Sequence, residues 1–535
     1  MKGIIPLTLL GCVVSLSGCP DVPEQSPTME LTQAPDPMDP QSRIFTLNHG
    51  DNAPFRLDCI EDGGTHEQHS VAMRGARERI VRLRGLKADA TYVCRAYRTD
   101  GKLRGESNEV RFTTDPLPDD LILPKLTIPP ESLSATGYTL YNQGNFYYDG
   151  DMEHFDVDAL RSDDNYLVIV DAEGNVRWWY KGIGAGDFEA RYLGHERILF
   201  TGQATDMAHP PTIVGLDKRT RILGHQIPSV DYELGDEAGL YYNHEGALAP
   251  DGQSIFTLVH TLNPEDDTTL GFVVKELPLT DADEDDIMDN TLWYWDSFEA
   301  AAEGEFDHIN ATYGSDPVHA NSISVDEADD GTWSVYVSLR NASRIIKIDY
   351  LSKHVVWSMG YDREDFRLLE NDGRPAAIER WFFDQHDVQV HGDTITMHDN
   401  GTDRLLVGGD AYTRALELEV DEDAGVVRIV SEYTEKGWNE PFWGGHDVLS
   451  NGHRLIAMGH CGFCGLSDDF RSAVLELDGG NRPVWRLDFP EPAADLMIYR
   501  AQRIDGCAIF NNLDYCDTVH EYDPKTLSDD FEIDD

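Results

Sequence analysis

Four histidines open short segments of alternating character: His244-Glu-Gly-Ala-Leu, His319-Ala-Asn-Ser-Ile, His386-Asp-Val-Gln-Val and His446-Asp-Val-Leu-Ser. Successive members lie 75, 67 and 60 residues apart. An imidazole can attack an electrophile, move a proton near neutral pH, or ligate a metal. One histidine at a strand start is most simply a hydrogen-bonded turn residue, but four at matched positions point to a shared site. Asn321 lies two residues beyond His319 and so shares its strand face. The segment Ser338-Leu-Arg340-Asn-Ala-Ser brings a guanidinium, and His386 sits within Asp384-Gln-His-Asp387, ahead of Thr394-Ile-Thr-Met-His398-Asp399-Asn400. Converging His, Asn and Arg make a cationic, donor-rich pocket suited to a tetrahedral oxyanion.

Residues so far apart converge only if repeated elements carry them. From about residue 120 onward, four stretches share a plan of strand, turn, strand and Trp or its equivalent. They are Tyr166-Leu-Val-Ile-Val to Trp178, Ile345-Ile-Lys-Ile to Trp357, Ala415-Leu-Glu-Leu to Ile429 and Val474-Leu-Glu-Leu to Trp485. A repeat of this length, made of strands and Gly/Asp turns, indicates a β-propeller with long blades, whose first strands line a central channel. Helical periodicity is scarce, and the best helical candidate, near Ala376–Phe383, is short. Ahead of the repeats, residues 42–116 alternate as a small β-sandwich domain would. Its Leu83-Arg-Gly-Leu-Lys-Ala-Asp-Ala-Thr-Tyr92 resembles a fibronectin type III stretch, and Val110-Arg-Phe-Thr-Thr resembles that domain's last strand. Asp115-Pro-Leu-Pro-Asp marks the boundary, and the propeller is expected over 120–535.

Five ordered motifs sharpen this reading: Asn243-His-Glu-Gly-Ala-Leu-Ala-Pro-Asp-Gly252, His319-Ala-Asn-Ser-Ile, Ser338-Leu-Arg-Asn-Ala-Ser, Phe383-Asp-Gln-His-Asp387 and Tyr499-Arg-Ala-Gln-Arg503. Together they resemble the arylsulfate sulfotransferase family, exported bacterial six-bladed propellers with a small N-terminal β-domain. The resemblance implies an all-β fold and transfer of a sulfuryl group from an aryl sulfate donor to a phenolic acceptor. It implies that His386 is the nucleophile that becomes transiently sulfated. His244, His319, Asn321 and Arg340 would hold the sulfuryl oxygens and assist proton movement. Asn321 and His446 are the substrate-binding candidates, His446 being a further pocket residue or a turn anchor. No nucleotide or other cofactor is implied, and the chain has no Gly-x4-Gly-Lys-Ser/Thr loop.

Two other readings stay open on the residues alone. The imidazoles with Asp387, Asp399 and Asp447 could bind Zn or Fe for a hydrolase or oxidase, although no His-Glu-x-x-His is present and Arg340 would repel a cation. A non-catalytic surface-binding propeller is the other. Asp281, Asp283, Asp285 and Asp289 have the spacing of a calcium loop, but Asp286 stands where such loops need Gly, which favours a solvated acidic loop.

The chain begins Met-Lys-Gly-Ile-Ile-Pro-Leu-Thr-Leu-Leu, a secretory signal over 1–18. Leu16-Ser-Gly-Cys19 resembles a bacterial lipoprotein cleavage box, with Cys19 the lipidated residue. Residues 19–41, rich in Pro, Gln, Ser and Asp, read as a flexible linker, so the protein is expected to be exported and held at a membrane by lipid alone. The expected disulfides are Cys59–Cys94, Cys461–Cys464 and Cys507–Cys516; a zinc site on the last four is the competing reading. Forty-three Lys and Arg against 98 Asp and Glu give a net charge of −55. That balance argues against nucleic-acid partners. It also sets up an expectation of a basic channel mouth in an acidic shell.

Overall fold

The computed structural model describes residues 29–49, 54–63, 67–69, 78–99, 105–130, 137–148, 160–162, 165–182, 187–194, 196–203, 207–216, 218, 220–222, 227–228, 241–266, 268–279, 291–307, 314–459, 472–489, 496–504 and 509–510. The signal segment, Cys19, the four later cysteines and Asp281, Asp283, Asp285 and Asp289 lie outside the described residues.

Two sheets form the N-terminal unit. One orders Glu30–Pro35, Arg43–Asn48 and Glu78–Leu83; the other orders Glu67–His69, Phe55–Glu61, Thr91–Arg98 and Val110–Thr113. Alternating residues, among them Leu31, Phe45, Leu57, Val81, Tyr92 and Phe112, fill one core between the sheets. Cys59 and Cys94 face each other in register and form the expected disulfide. The strand Glu30–Pro35 corrects the expected linker, because the sandwich begins before residue 42. Leu31, Asp36, Asp39 and Gln41 are buried. Composition concealed this strand because Leu31 is its one buried residue.

Six further sheets, antiparallel except where Arg367–Leu369 pairs parallel with Val426–Tyr433, follow one another among the described residues. Five begin with Asp187–Gly194, Tyr241–Leu248, Ala320–Glu327, His386–His391 and Gly445–Val448. The remaining sheet takes its inner strand, Ala501–Ile504, from late in the chain and pairs it with Tyr138–Tyr148. These inner strands contact one another in sequence and return to Asp187–Gly194. That closed ring is the arrangement of a propeller, which leaves only short, protected edges at its centre. A second clasp pairs Lys125–Ile128 with Pro483–Asp488.

Four of the tryptophans have a common physical role, from which Trp357 departs, its buried Nε1 having no hydrogen-bond partner among the described residues. Trp178 Nε1 donates to the Leu216 carbonyl (2.9 Å), Trp293 to Tyr350 (2.8 Å), Trp295 to Lys353 (3.0 Å) and Trp485 to Ala172 (2.8 Å). Each bond joins one sheet to its neighbour, and the last closes the ring. Tyr294, between buried Trp293 and Trp295, points outward at 45% exposure, as alternation along Trp293–Asp296 requires. The expected short helix is a 3-10 turn, Ile378–Arg380. An α-helix lies at Ser297–Ala302, where Asp296 caps the Phe298 and Glu299 N–H groups.

Trp485 is fully buried, so Trp485→Phe leaves the Ala172 carbonyl unpaired inside the ring seam. We expect a loss of about 1–3 kcal/mol, read as a lower urea midpoint.

Candidate active site

Three consecutive inner strands break register in their N-terminal halves: between Asn243 and Gly246, between Ala320 and Ser322, and between His386 and Gln389. A bulge of this kind re-aims a side chain. Backbone in the left-handed region accompanies it, with φ of 56° at His244, 47° at His319 and 50° at Asp387. Non-glycine residues adopt this conformation at a cost of order 1–3 kcal/mol, which surrounding contacts must offset. The result brings His244, His319 and His386 together. The His244 ring centroid lies 5.0 Å from that of His319 and 6.4 Å from that of His386.

The hydrogen bonds define which nitrogen of each ring is committed. His386 Nδ1 lies 2.8 Å from Asn400 Oδ1. The Asn400 amide nitrogen donates to the Glu440 carbonyl (2.7 Å) and the Trp443 carbonyl (3.0 Å). Two acceptors on the nitrogen force its oxygen toward His386, so Nδ1 of His386 carries the hydrogen and Nε2 carries the lone pair. His244 and His319 meet Nε2 to Nε2 at 3.0 Å. Tyr499 Oη lies 2.9 Å from His244 Nδ1, and Asp316 Oδ2 lies 2.5 Å from His319 Nδ1. Burial holds His244 and His386 well below the ordinary imidazole range; His319 adds to the effect at His244 and Arg340 at His386. Both are therefore neutral near pH 7.

Arg340 stands beside His386 but is already engaged. It donates to Asn341 Oδ1 (2.6 Å) and the Pro441 carbonyl (3.0 Å), and lies 3.9 Å from buried Asp384. Asn321 has a supporting position, because its amide nitrogen donates to the Gln385 carbonyl at 2.8 Å, immediately before His386. His446 is not part of the cluster, which corrects the expectation of a fourth converging imidazole. Its strand keeps regular register from Gly445 to Val448, so no bulge turns the ring. Instead its N–H holds Asp387 (2.8 Å) and its ring faces the Met397 carbonyl (3.3 Å).

Several organising residues were not singled out from the sequence. Asp316 and Glu440 lie in irregular segments, and His260 sits in a second strand, 5.7 Å from the His319 ring. Buried Glu440 accepts from Gly459 N (2.8 Å) and Trp438 Nε1 (3.1 Å) and pairs with His398 Nε2 (3.1 Å). It thereby fixes the segment 440–444, whose carbonyls hold Asn400, Arg340 and Arg500. Gly444, at φ 96°, packs against the His398 ring with no room for a side chain. The carboxylates near the cluster are paired, Asp399 with Arg404 and Arg414, and Glu245 and Asp387 with Arg500. Among the described residues, no group of three or more His, Cys, Asp or Glu side chains is placed to hold a metal ion.

Residues 151–500, well over half the chain, match the model of the arylsulfotransferase (ASST) family. The chain belongs to this family. No curated protein matches it significantly. Solved structures similar to it include a protein of unknown function from Bacteroides thetaiotaomicron (10% identity, 87% of this chain and 86% of that one, TM-score 0.29). Kuenenia stuttgartiensis hydrazine synthase (12%, 57% and 66%, TM-score 0.28) and apo AztD from Citrobacter koseri (9%, 89% and 97%, TM-score 0.23) are also similar. Membership in the arylsulfotransferase family agrees with the resemblance carried by the histidine motifs.

Burial lowers His260 to about 4, His398 to about 3 and His446 to about 4. Unfolding returns each to its ordinary value of 6.5, so the unfolded chain takes up protons that the native state refuses. Their stabilisation is present above pH 6.5 and is lost as pH falls toward 4. Each histidine contributes a slope of about 1.4 kcal/mol per pH unit. His446→Gln should remove one such contribution from unfolding free energies measured across this range; an unchanged slope would contradict the assignment.

Proposed function

We propose that this chain transfers a sulfuryl group from an aryl sulfate to a phenol in two steps, through a sulfohistidine on His386. The observation that carries the reading is the forced orientation of Asn400, which leaves the His386 lone pair on Nε2. A neutral imidazole nitrogen can attack sulfur while the S–O bond to the aryl group breaks and its electron pair leaves on phenolate. In the second step a phenol oxygen attacks the same sulfur and the electron pair returns to Nε2. Arg340 is always charged and stands close enough to His386 to offset charge on the sulfuryl oxygens. The His244–His319 pair supplies and retrieves the phenolic proton. Asn321 assists by fixing the backbone that presents His386, and His446 by holding Asp387. The reaction as written needs no cofactor.

The six sheets and the preceding sandwich support a six-bladed propeller with a fibronectin type III-like N-terminal domain. We further propose export, lipidation of Cys19 and attachment to a membrane through lipid alone, on the strength of Leu16-Ser-Gly-Cys19.

The test is intact-mass analysis after addition of 4-nitrophenyl sulfate. Wild type should gain one sulfuryl group and His386→Ala none; an adduct that persists in His386→Ala would refute the nucleophile assignment. In the same sample Asn400→Ala, which frees the His386 tautomer, should slow adduct formation by roughly 10-fold to 100-fold.

A further inference from the structure

We propose that Asp316 and Tyr499 make the two histidines of the His244–His319 pair unequal. His319 becomes the proton carrier of the transfer, while His244 stays neutral as a hydrogen-bond donor. The inference rests on the two-step reaction above and assigns roles within the same site.

Four groups form one chain: Tyr499 Oη to His244 Nδ1 at 2.9 Å, His244 Nε2 to His319 Nε2 at 3.0 Å, and His319 Nδ1 to Asp316 Oδ2 at 2.5 Å. Asp316 Oδ1 also accepts the His319 backbone N–H at 3.1 Å, and the Asp316 carbonyl accepts Asn341 Nδ2 at 2.7 Å, so the carboxylate is fixed in place. Burial alone would raise Asp316, but the His319 imidazole facing it brings it down to about 2.

An ionised carboxylate only accepts, so His319 Nδ1 carries a hydrogen. With both rings neutral, one hydrogen is shared between the two Nε2 atoms, and it must be that of His244. Nδ1 of His244 is then a lone pair, filled by the Tyr499 hydroxyl as donor. All three bonds point toward Asp316. A second proton taken up by the pair shifts the shared hydrogen onto His319 Nε2, where the imidazolium faces a carboxylate, while neutral His244 turns its Nε2 lone pair to it and carries its hydrogen on Nδ1, with Tyr499 Oη as acceptor. His319 also faces His260 and His244, while His244 faces Tyr499, His386, His319 and Arg500. The His319 side chain is 27% exposed, so incoming phenol has a route to it.

The proton count closes over a cycle. In the first step His386 Nε2 bonds to sulfur, the S–O(aryl) bond breaks, and phenolate takes the Nε2 proton of the His319 imidazolium. In the second, the acceptor phenol returns a proton to His319 Nε2 as its oxygen bonds to sulfur and the S–N bond breaks. Asp316 and Tyr499 are positioning residues, acting through the two rings.

Asp316→Asn keeps an acceptor for His319 Nδ1 but removes the charge. Single-turnover adduct formation should fall about 100-fold with phenyl sulfate, whose leaving group needs a proton, and about 10-fold less severely with 4-nitrophenyl sulfate. The alkaline limb of the pH–rate profile should move to lower pH. Equal losses for both donors, or an unmoved alkaline limb, overturn the inference. Should Asp316→Asn fail to fold, His319→Gln must show the donor-selective loss and His244→Gln must not; equal selectivity in those two overturns it as well. A wild-type protein that forms no adduct with either donor removes the two-step reading itself. An adduct formed without donor selectivity removes only the roles given to Asp316 and Tyr499.

Discussion

One buried guanidinium holds the site's framework together. Arg500 pairs with Glu245 and, at 3.3 Å, with Asp387, and donates to the carbonyls of Gly444 (2.5 Å) and Tyr499 (2.9 Å). Glu245 lies in Tyr241–Leu248 and Asp387 in His386–His391, Gly444 directly precedes Gly445–Val448, and Tyr499 leads into the closing strand. Glu245 and Asp387 each directly follow a histidine of the cluster. The bulges therefore send each histidine toward the site and the next carboxylate toward Arg500. Removing one member would strand an uncompensated buried charge, which costs about 3–5 kcal/mol. The strained backbone at His244 and Asp387 persists because this network over-determines it.

Electrostatics at the site depend on pairing more than on net charge. Around the histidines, buried Asp384, Asp387, Asp399 and Glu245 each face an arginine. The net charge of −55 thus coexists with a locally matched centre, in which burial keeps His244 and His386 neutral. Neutral imidazoles are what nucleophilic attack requires, and burial supplies them without an added base. The same burial makes each hydrogen-bond commitment decisive, since an unpaired polar group costs more in a dry interior than in water.

Much of this was legible in the chain. The Trp-bearing hairpins and the spaced histidines announced a ring of small sheets, and His244, His319 and His386 do meet. His446 shared their motif yet lies apart, because the sequence His-Asp-Val-Leu does not reveal whether a strand begins with a bulge. Asn321 and Arg340 were found by face and spacing, but their partners, the Gln385 and Pro441 carbonyls, belong to neighbouring sheets. Glu440 and Asp316 carried no periodic signal, since irregular segments have none.

The sequence by itself determined the element type, the repeat and the identity of the reactive groups, because alternation and turn chemistry are local. Tertiary structure decided which imidazoles converge, which partner each ring nitrogen meets, and which carboxylates are neutralised. Those properties depend on closing the ring, where Ala501–Ile504 joins Tyr138–Tyr148 and Arg500 meets Glu245 across 255 positions of chain. Contacts made at such separation leave no trace in local pattern.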